Sequence, residues 1–299
     1  MTACQFALLN DRGVLRVAGA DAERLLQGLI TSDMDRLKDQ PAIHAGLLTP
    51  QGKILFDFFL ARASDGFLID VLKEKAEELA KRLNFYKLRA RVTIADTSPE
   101  YAVAVFWGGV LPALDGAQSL LAFPDPRLSV LGWRVIVPLP TDWAPVRGDA
   151  TEATAADYHA YRIRHGVPEG GKDFVLGDTF PHEALFDQLR GVDFEKGCYV
   201  GQEVVSRMEH RATARKRIVK VQGHGRLPAS GCDVKAGEVS IGTLGSVAGN
   251  MGLALLRVDR VAEAQAKNIP LTAAGVRLTV MLPEWASFSV VSSGKARPE

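Results

Sequence analysis

The order of apolar and polar positions divides this chain into three blocks. In the first, positions 13–17 alternate as a short strand, Gly13-Val14-Leu15-Arg16-Val17. Gly19-Ala20-Asp21 then turns into a helix, with Asp21 at the N-cap and Leu25, Leu26, Leu29 and Ile30 on its apolar face. After the turn signal Pro50-Gln51-Gly52, a strand over 53–60 places Ile54, Phe56, Phe58 and Leu60 on one face and Asp57 on the other. A strand over 66–71 pairs with it as a hairpin. Positions 73–89 cycle as a charged amphipathic helix with Leu79 and Leu83 inward, and 91–95 and 101–107 return to strand. The β-β-α-β order from about 42 to 96 predicts a helix laid on an antiparallel sheet.

The second block starts without readable periodicity, in a Gly-, Pro-, Ala- and Leu-rich stretch over 108–127. A strand over 128–137 and a helix over 154–165 follow, the helix stopped by Gly166-Val167-Pro168. From 168 to 202 the chain is polar and glycine-rich, an irregular length of the kind that often carries function. The third block begins near Arg217. Strand candidates at 218–221, 239–243, 245–247, 251–256 and 276–282, with Gly or Pro between them, predict a small all-β barrel or sandwich. The end, 292–299, reads as a frayed tail.

A length of 299 residues with 47% hydrophobic and 24% charged residues suits two or three domains with ordinary cores. A net charge of +1 gives no global pull toward nucleic acid or an anionic membrane. No apolar run reaches the roughly 18 residues of a membrane span. The N-terminus has neither a signal-peptide nor a presequence pattern. Cys4, Cys198 and Cys232 are odd in number and far apart, which argues against a disulfide framework and for a reducing compartment. A bacterial cytoplasm is the simplest expectation.

Chemistry concentrates in Lys196-Gly197-Cys198-Tyr199-Val200-Gly201-Gln202-Glu203. The octet holds an ammonium, a thiol, an amide and a carboxylate, with glycines on both sides of the thiol. Glycine permits positive φ and close approach of backbone to ligand. A cation such as Lys196 lowers a neighbouring thiol's pKa. The stretch reads as a loop presenting Cys198; the alternative is a turn with a buried, inert cysteine. Gln202 and Glu203 can grip a heterocycle with amide and amino edges, or Glu203 can pair with Arg207 one helical turn on. Asp57 is either a carboxylate tuned by Phe56 and Phe58 or an exposed residue on a sheet's solvent face. Glu183, in Pro181-His182-Glu183, is a second carboxylate for reading a heterocycle, or a plain loop acid. The basic run of Arg207, His210, Arg211, Arg215, Lys216 and Arg217 could bind a polyanion or be a solvated face. With one thiol in the octet and no histidines at ligand spacing, a complete metal or iron–sulfur site within the chain is not expected.

The octet resembles the signature of the YgfZ family, folate-binding relatives of the glycine-cleavage T-protein whose mitochondrial member is an iron–sulfur assembly factor. Arg12-Gly13, Leu26-Gln27-Gly28, Thr31-Ser32-Asp33, Thr49-Pro50-Gln51-Gly52-Lys53-Ile54 and Tyr161-Arg162-Ile163 resemble further family segments. The resemblance implies an α+β, three-domain T-protein-like ring around a tetrahydrofolate. It implies a discontinuous folate-binding domain over 1–41 and 97–216, an inserted ferredoxin-like domain over 42–96 and a C-terminal β-barrel over 217–299. By resemblance, Asp57 lies near the reactive nitrogen of folate and Glu183 reads the pterin. Gln202, Glu203 and Arg207 stand beside the ligand, and Lys196 and Cys198 form the working loop. T-proteins carry two consecutive acids where this chain has Phe56 before Asp57, which puts methylene transfer in doubt. The expected function is a tetrahydrofolate-binding accessory protein for iron–sulfur cluster assembly or repair, with indirect effects on tRNA modification. Its partners would be folate and iron–sulfur client or assembly proteins, without membrane or direct nucleic-acid binding. The alternative is a folate-dependent aminomethyltransferase or demethylase.

Overall fold

A computed structural model of the chain describes residues 3–114, 120–211 and 214–290. It divides into two compact units, Met1–Tyr158 with Leu189–Gln202, and His159–Gln188 with Glu203–Glu299.

The first unit contains two sheets. Its elements are β1 (Gln5–Leu8), β2 (Arg12–Ala18), α1 (Ala22–Gln27), β3 (Ala42–Leu48), β4 (Ile54–Ala63), β5 (Gly66–Leu72), α2 (Lys73–Lys87), β6 (Thr93–Asp96), β7 (Tyr101–Trp107), β8 (Leu121–Pro124), β9 (Trp133–Pro138), α3 (Trp143–Arg147) and β10 (Thr151–Glu152). One sheet runs β3-β4-β5-β2-β6, all antiparallel. The other runs β10-β1-β7-β9-β8. The alternation of β4 is real: Ile54, Phe56, Phe58 and Leu60 are buried, and α2 covers the same core with Leu79 and Leu83. Each such side chain contributes about 1.5–3 kcal/mol when fully buried.

Three sequence expectations need correction. Asp21 does not cap α1 through its side chain; its Oδ2 accepts from the backbone N–H of Arg91 at 2.9 Å instead. The stretch 42–96 does not form a sheet of its own, because β2 from the opening segment is hydrogen-bonded between β5 and β6. The strand expected over 128–137 starts only at Trp133, after a 3-10 turn at Ser129–Leu131.

A charged cluster buried in this unit links β2, β5 and β9 with the turn after β8. Arg12 Nε donates to Asp70 Oδ1 at 2.6 Å, and Arg134 Nη1 to Asp70 Oδ2 at 2.6 Å. Arg127 grips Asp125 through two nitrogens, at 3.0 and 2.8 Å. The guanidinium carbons of Arg12, Arg127 and Arg134 lie 5.7, 4.7 and 4.0 Å from the centroid of the Phe59 ring. All five charged groups are buried, so each depends on its partners for the solvation it has lost.

The second unit is built on a closed antiparallel barrel. The helix α4 (Ala155–Arg164) runs across the division, and α5 (Gln202–Arg211) follows the irregular stretch. The barrel strands are β11 (Lys216–Gly223), β12 (Asp233–Ala236), β13 (Val239–Ala248), β14 (Met251–Arg257), β15 (Leu271–Ala273) and β16 (Val276–Met281), with α6 (Val258–Ala266) after β14. Their order is β11-β14-β13-β12-β15-β16, and β16 pairs back onto β11. Val219, Val221, Leu244, Ala254 and Leu256 fill the interior. The irregular stretch is tied to the barrel by Asp173, which takes Arg162 Nη1 at 2.6 Å and the N–H of Ser246 at 2.8 Å. The tail over 292–299 lies outside the described residues.

Replacing Asp70 by Ala removes the carboxylate that Arg12 and Arg134 share, with Arg134 still beside Asp125 at 3.3 Å, and is expected to cost about 3–5 kcal/mol in urea unfolding. Asp65→Ala, which removes only the half-exposed partner of Arg16, is expected to cost less than about 1 kcal/mol.

Candidate functional site

The loop bearing Cys198 is held at both ends. Lys196 is buried, and its Nζ donates to three backbone carbonyls: Gln27 at 2.9 Å, Ile30 at 2.7 Å and Ser32 at 3.0 Å. Three acceptors match the three protons of an ammonium. Burial draws the Lys196 pKa down to about 8, against the opposite pull of Asp33 and Asp193. At the other end, Gly201 has φ +82°, and a Cβ there would stand 2.5 Å from the carbonyl oxygen of Thr49. Only glycine lets the loop close on the Thr49–Gly52 turn. Between the anchors, Tyr199 is buried with its ring 5.1 Å from Lys196 Nζ, and Val200 packs on the first core. Cys198 is exposed. The thiol is thus displayed and not buried. The glycine before it, Gly197, does not use positive φ and has open space around its Cα. Lys196 spends its ammonium on carbonyls, so the structure gives it an anchoring part that its place in sequence did not suggest.

The preceding segment is stitched to the same sheet. Thr31 Oγ1 donates to the Gly191 carbonyl at 2.5 Å and accepts from the Gly46 N–H at 2.8 Å. Asp193 donates its N–H to the Thr31 carbonyl at 2.9 Å.

Asp57 lies on β4 opposite Gly46, with His44 and Phe59 the next pair on the same face. The missing side chain at Gly46 leaves the diagonal open, and His44 Nε2 meets Asp57 Oδ1 at 2.9 Å. His44 Nδ1 lies 3.1 Å from the Leu189 carbonyl. Both side chains are below one-tenth exposed, which overturns the alternative of Asp57 on a solvent face. His44 was not singled out from sequence. Its strand, β3, is buried at all seven positions, so it shows no alternation to read.

The other expected residues belong to the second unit, except Gln202, which ends the first. Gln202 opens α5 and donates its N–H to the Tyr199 carbonyl at 3.3 Å. Glu203 and Arg207 are both exposed on α5; among the described residues no ion pair joins them. The carboxylate of Glu183 accepts the Phe180 N–H at 3.0 Å, and its carbonyl accepts from Ile218 on β11. His182 Nε2 contacts Glu209 Oε2 at 2.9 Å, which ties α5 to the irregular stretch. The basic run is not uniformly solvated: Arg217 pairs with Asp187 at 2.9 Å and donates to the His182 carbonyl at 3.1 Å. Arg215 and His210 are exposed, and the side chain of Arg211 lies outside the described residues. His182, Asp187 and Glu209 offer ligand atoms within 4.8 Å of one another. They are the residues that could hold a cation, although Arg217 already neutralises Asp187.

Cavities of about 430 and 350 Å3 occur in the first unit, one beside Phe6, Trp143 and Arg147, the other beside Gln40, Arg127 and Arg190. Neither is lined by Cys198 or Asp57. The chemistry of this unit is therefore a displayed thiol and a buried His–Asp pair on one connected scaffold. Lys196→Met, which leaves three carbonyls without their donor, is expected to lower stability by about 2–3 kcal/mol in chemical unfolding. Cys198→Ser at the exposed tip is expected to change it by less than about 0.5 kcal/mol.

Comparison with known proteins places this geometry. Residues 215–288, the barrel, match the family described as CAF17, C-terminal beta-barrel domain. A human protein named iron-sulfur cluster assembly factor IBA57, mitochondrial, is 33% identical over 308 residues, covering 93% of this chain and 84% of its own. The mouse protein of that name is 33% identical over 287 residues, covering 85% and 77%. The Neurospora crassa homolog is 32% identical over 229 residues, and the chain spans only 52% of its length. In structure, the glycine cleavage system aminomethyltransferase T of Bartonella henselae superposes with a TM-score of 0.74 at 16% identity, covering 95% of this chain and 86% of that one. The α+β aminomethyltransferase-like fold with a C-terminal β-barrel is therefore established. The cytoplasmic location expected from the cysteines is corrected: these relatives are mitochondrial by name, and unpaired thiols report a reducing environment without saying which compartment supplies it. The extent and identity of the human and mouse matches show that the chain belongs to the IBA57 family of iron–sulfur cluster assembly factors.

Proposed function

We propose that this chain assists iron–sulfur cluster assembly or repair through Cys198, with a tetrahydrofolate bound on the same protein. The observation that carries the reading is the exposed thiol on a loop fixed by Lys196 and Gly201. A thiolate is a cluster ligand, and clusters of the common types take four protein ligands. One displayed cysteine therefore supplies one ligand, and the others come from a client or assembly protein that meets this loop. That requirement makes the iron–sulfur partner part of the site. The names of the human and mouse relatives support the assignment. Effects on tRNA modification would follow only through client enzymes that need clusters.

The folate part rests on the aminomethyltransferase-like fold and on Asp57, a buried carboxylate of the kind that orients an amine. Glu183, Gln202, Glu203 and Arg207 remain proposals for the same class of ligand. Glu183 would have to share its carboxylate with the Phe180 N–H. Phe56 is buried in the core beside Asp57, so no second acid stands there to share proton transfer, which favours binding over turnover.

In cells lacking the endogenous protein, Cys198→Ala is expected to fail to restore the activity of several cluster-dependent enzymes, while the wild-type chain restores it. Full rescue by the alanine variant sinks the reading. Asp57→Asn is expected to weaken tetrahydrofolate binding at least about tenfold by calorimetry, corresponding to about 1.4 kcal/mol. Unchanged affinity would remove Asp57 from the ligand.

A further inference from the structure

Residues 79–92 hold five cations, Lys81, Arg82, Lys87, Arg89 and Arg91, and no acid, in a chain whose charges otherwise nearly balance. The three acids of α2, Glu74, Glu77 and Glu78, all lie in its first half. At its other end two large apolar side chains face water: Phe85 is 72% exposed and Leu88 86%. The Tyr86 ring lies edge-on to Phe85, with centroids 5.6 Å apart. Leu88 follows the last helical residue with φ +46° and ψ −109°. The Ala90 N–H then donates to the Lys87 carbonyl at 2.8 Å. This is a type II′ turn with leucine at the position that glycine normally fills. A β-carbon strains the backbone there, and an exposed leucine gains no burial in return. Neither cost is recovered within the chain. Cations near a helix C-terminus offset its dipole, which accounts for Lys87. It accounts neither for the two exposed apolar side chains nor for the leucine in the turn.

We propose that this end of α2 is a docking surface for an anionic lipid bilayer. Phe85 and Leu88 enter the interfacial layer, and the cations around them meet acidic headgroups. Arg82, one helical turn before Phe85, and Arg89, next to Leu88, are exposed and in no ion pair among the described residues. The Arg91 side chain is 80% exposed and reaches Asp21 at 3.4 Å. Lys81 is taken by Glu77, and Lys87 donates to the Val92 carbonyl at 3.1 Å. Size argues for lipid over protein. Two apolar side chains fall well short of the roughly 20–30 residues that each partner gives to a stable protein interface, and they line neither cavity of this unit described above. A bilayer needs no matching pocket, because it takes in each apolar side chain and attracts each cation separately. The inner face of α2 is committed to the core through Leu79 and Leu83, so the helix meets the surface with its end and not its length. Among the described residues no helix is long and apolar enough to cross a membrane. The net charge of +1 gives the whole chain no pull toward lipid; the pull comes from this end alone. It rests on neither the cluster reading nor the folate reading.

Sedimentation of the intact chain with lipid vesicles tests the surface. The chain is expected to bind vesicles of phosphatidylcholine and phosphatidylglycerol in equal parts, to bind pure phosphatidylcholine at least about tenfold more weakly, and to be released by salt. Phe85→Ser and Leu88→Gly are each expected to weaken binding to the mixed vesicles about tenfold. Leu88→Gly is expected to do so with a melting temperature no lower than wild type, since glycine suits the turn. Arg82→Gln combined with Arg89→Gln is expected to narrow the preference for the mixed vesicles. No binding to the mixed vesicles overturns the proposal, as does binding that Phe85→Ser and Leu88→Gly together leave unchanged. Equal binding to both kinds of vesicle overturns the anionic part, and a melting temperature lowered by Leu88→Gly overturns the argument from strain. A photocrosslinker at position 85 checks the other occupant. Capture of a protein by a chain that does not bind vesicles makes this a protein interface and overturns the lipid one.

Discussion

A single buried ammonium holds the candidate site in place. Lys196 gives its three protons to the carbonyls of Gln27, Ile30 and Ser32, at the end of α1 and in the turn that follows it. The same turn supplies Thr31, whose hydroxyl links Gly191 to Gly46. Residues some 160 positions apart in sequence thereby become one rigid patch. The sheet that carries Asp57 and the loop that carries Cys198 are both fastened to the Ile30–Ser32 turn. Charge is the means and not the message: the ammonium is satisfied internally, so its loss would be felt as unpaired carbonyls before it was felt as altered chemistry at the thiol.

Much of the fold is legible in the residues. The alternation of β4, the helix α2 and the Gly- and Pro-punctuated strands of the barrel all follow from period and turn chemistry. Some elements escape despite a clear pattern, the amphipathic helices α5 and α6 among them, and others because they offer little to read. Strand β3 is buried on both faces, β15 has three residues, and β8 ends on a proline in the stretch without periodicity. The cluster of Arg12, Asp70, Asp125, Arg127 and Arg134 escapes for another reason. Its members are spread over more than 120 positions, and only folding brings them together. The octet was conspicuous because its chemistry is contiguous. The part Lys196 takes in it was not, because the acceptors are distant main-chain atoms that no side-chain pattern records.

Likeness to an aminomethyltransferase at 16% identity establishes a scaffold and nothing of its reaction. In this chain the surroundings of Asp57 are particular. Phe56 fills a core position next to Asp57, and Asp57 is engaged by His44. A scaffold of this kind can serve tasks other than that of its fold neighbour.

The lone display of Cys198 also sets how the protein meets oxidants. Within its unit the other cysteine is Cys4, which is buried and whose thiol is held above its ordinary pKa by burial and by Asp149. It offers no ready thiolate to resolve an oxidised neighbour. A sulfenic acid formed at Cys198 would have to be reduced by a thiol from outside the unit, or go on to irreversible acids. Survival under peroxide thus depends on thiols from outside the unit, and a partner docked at the loop as proposed would shield the sulfur.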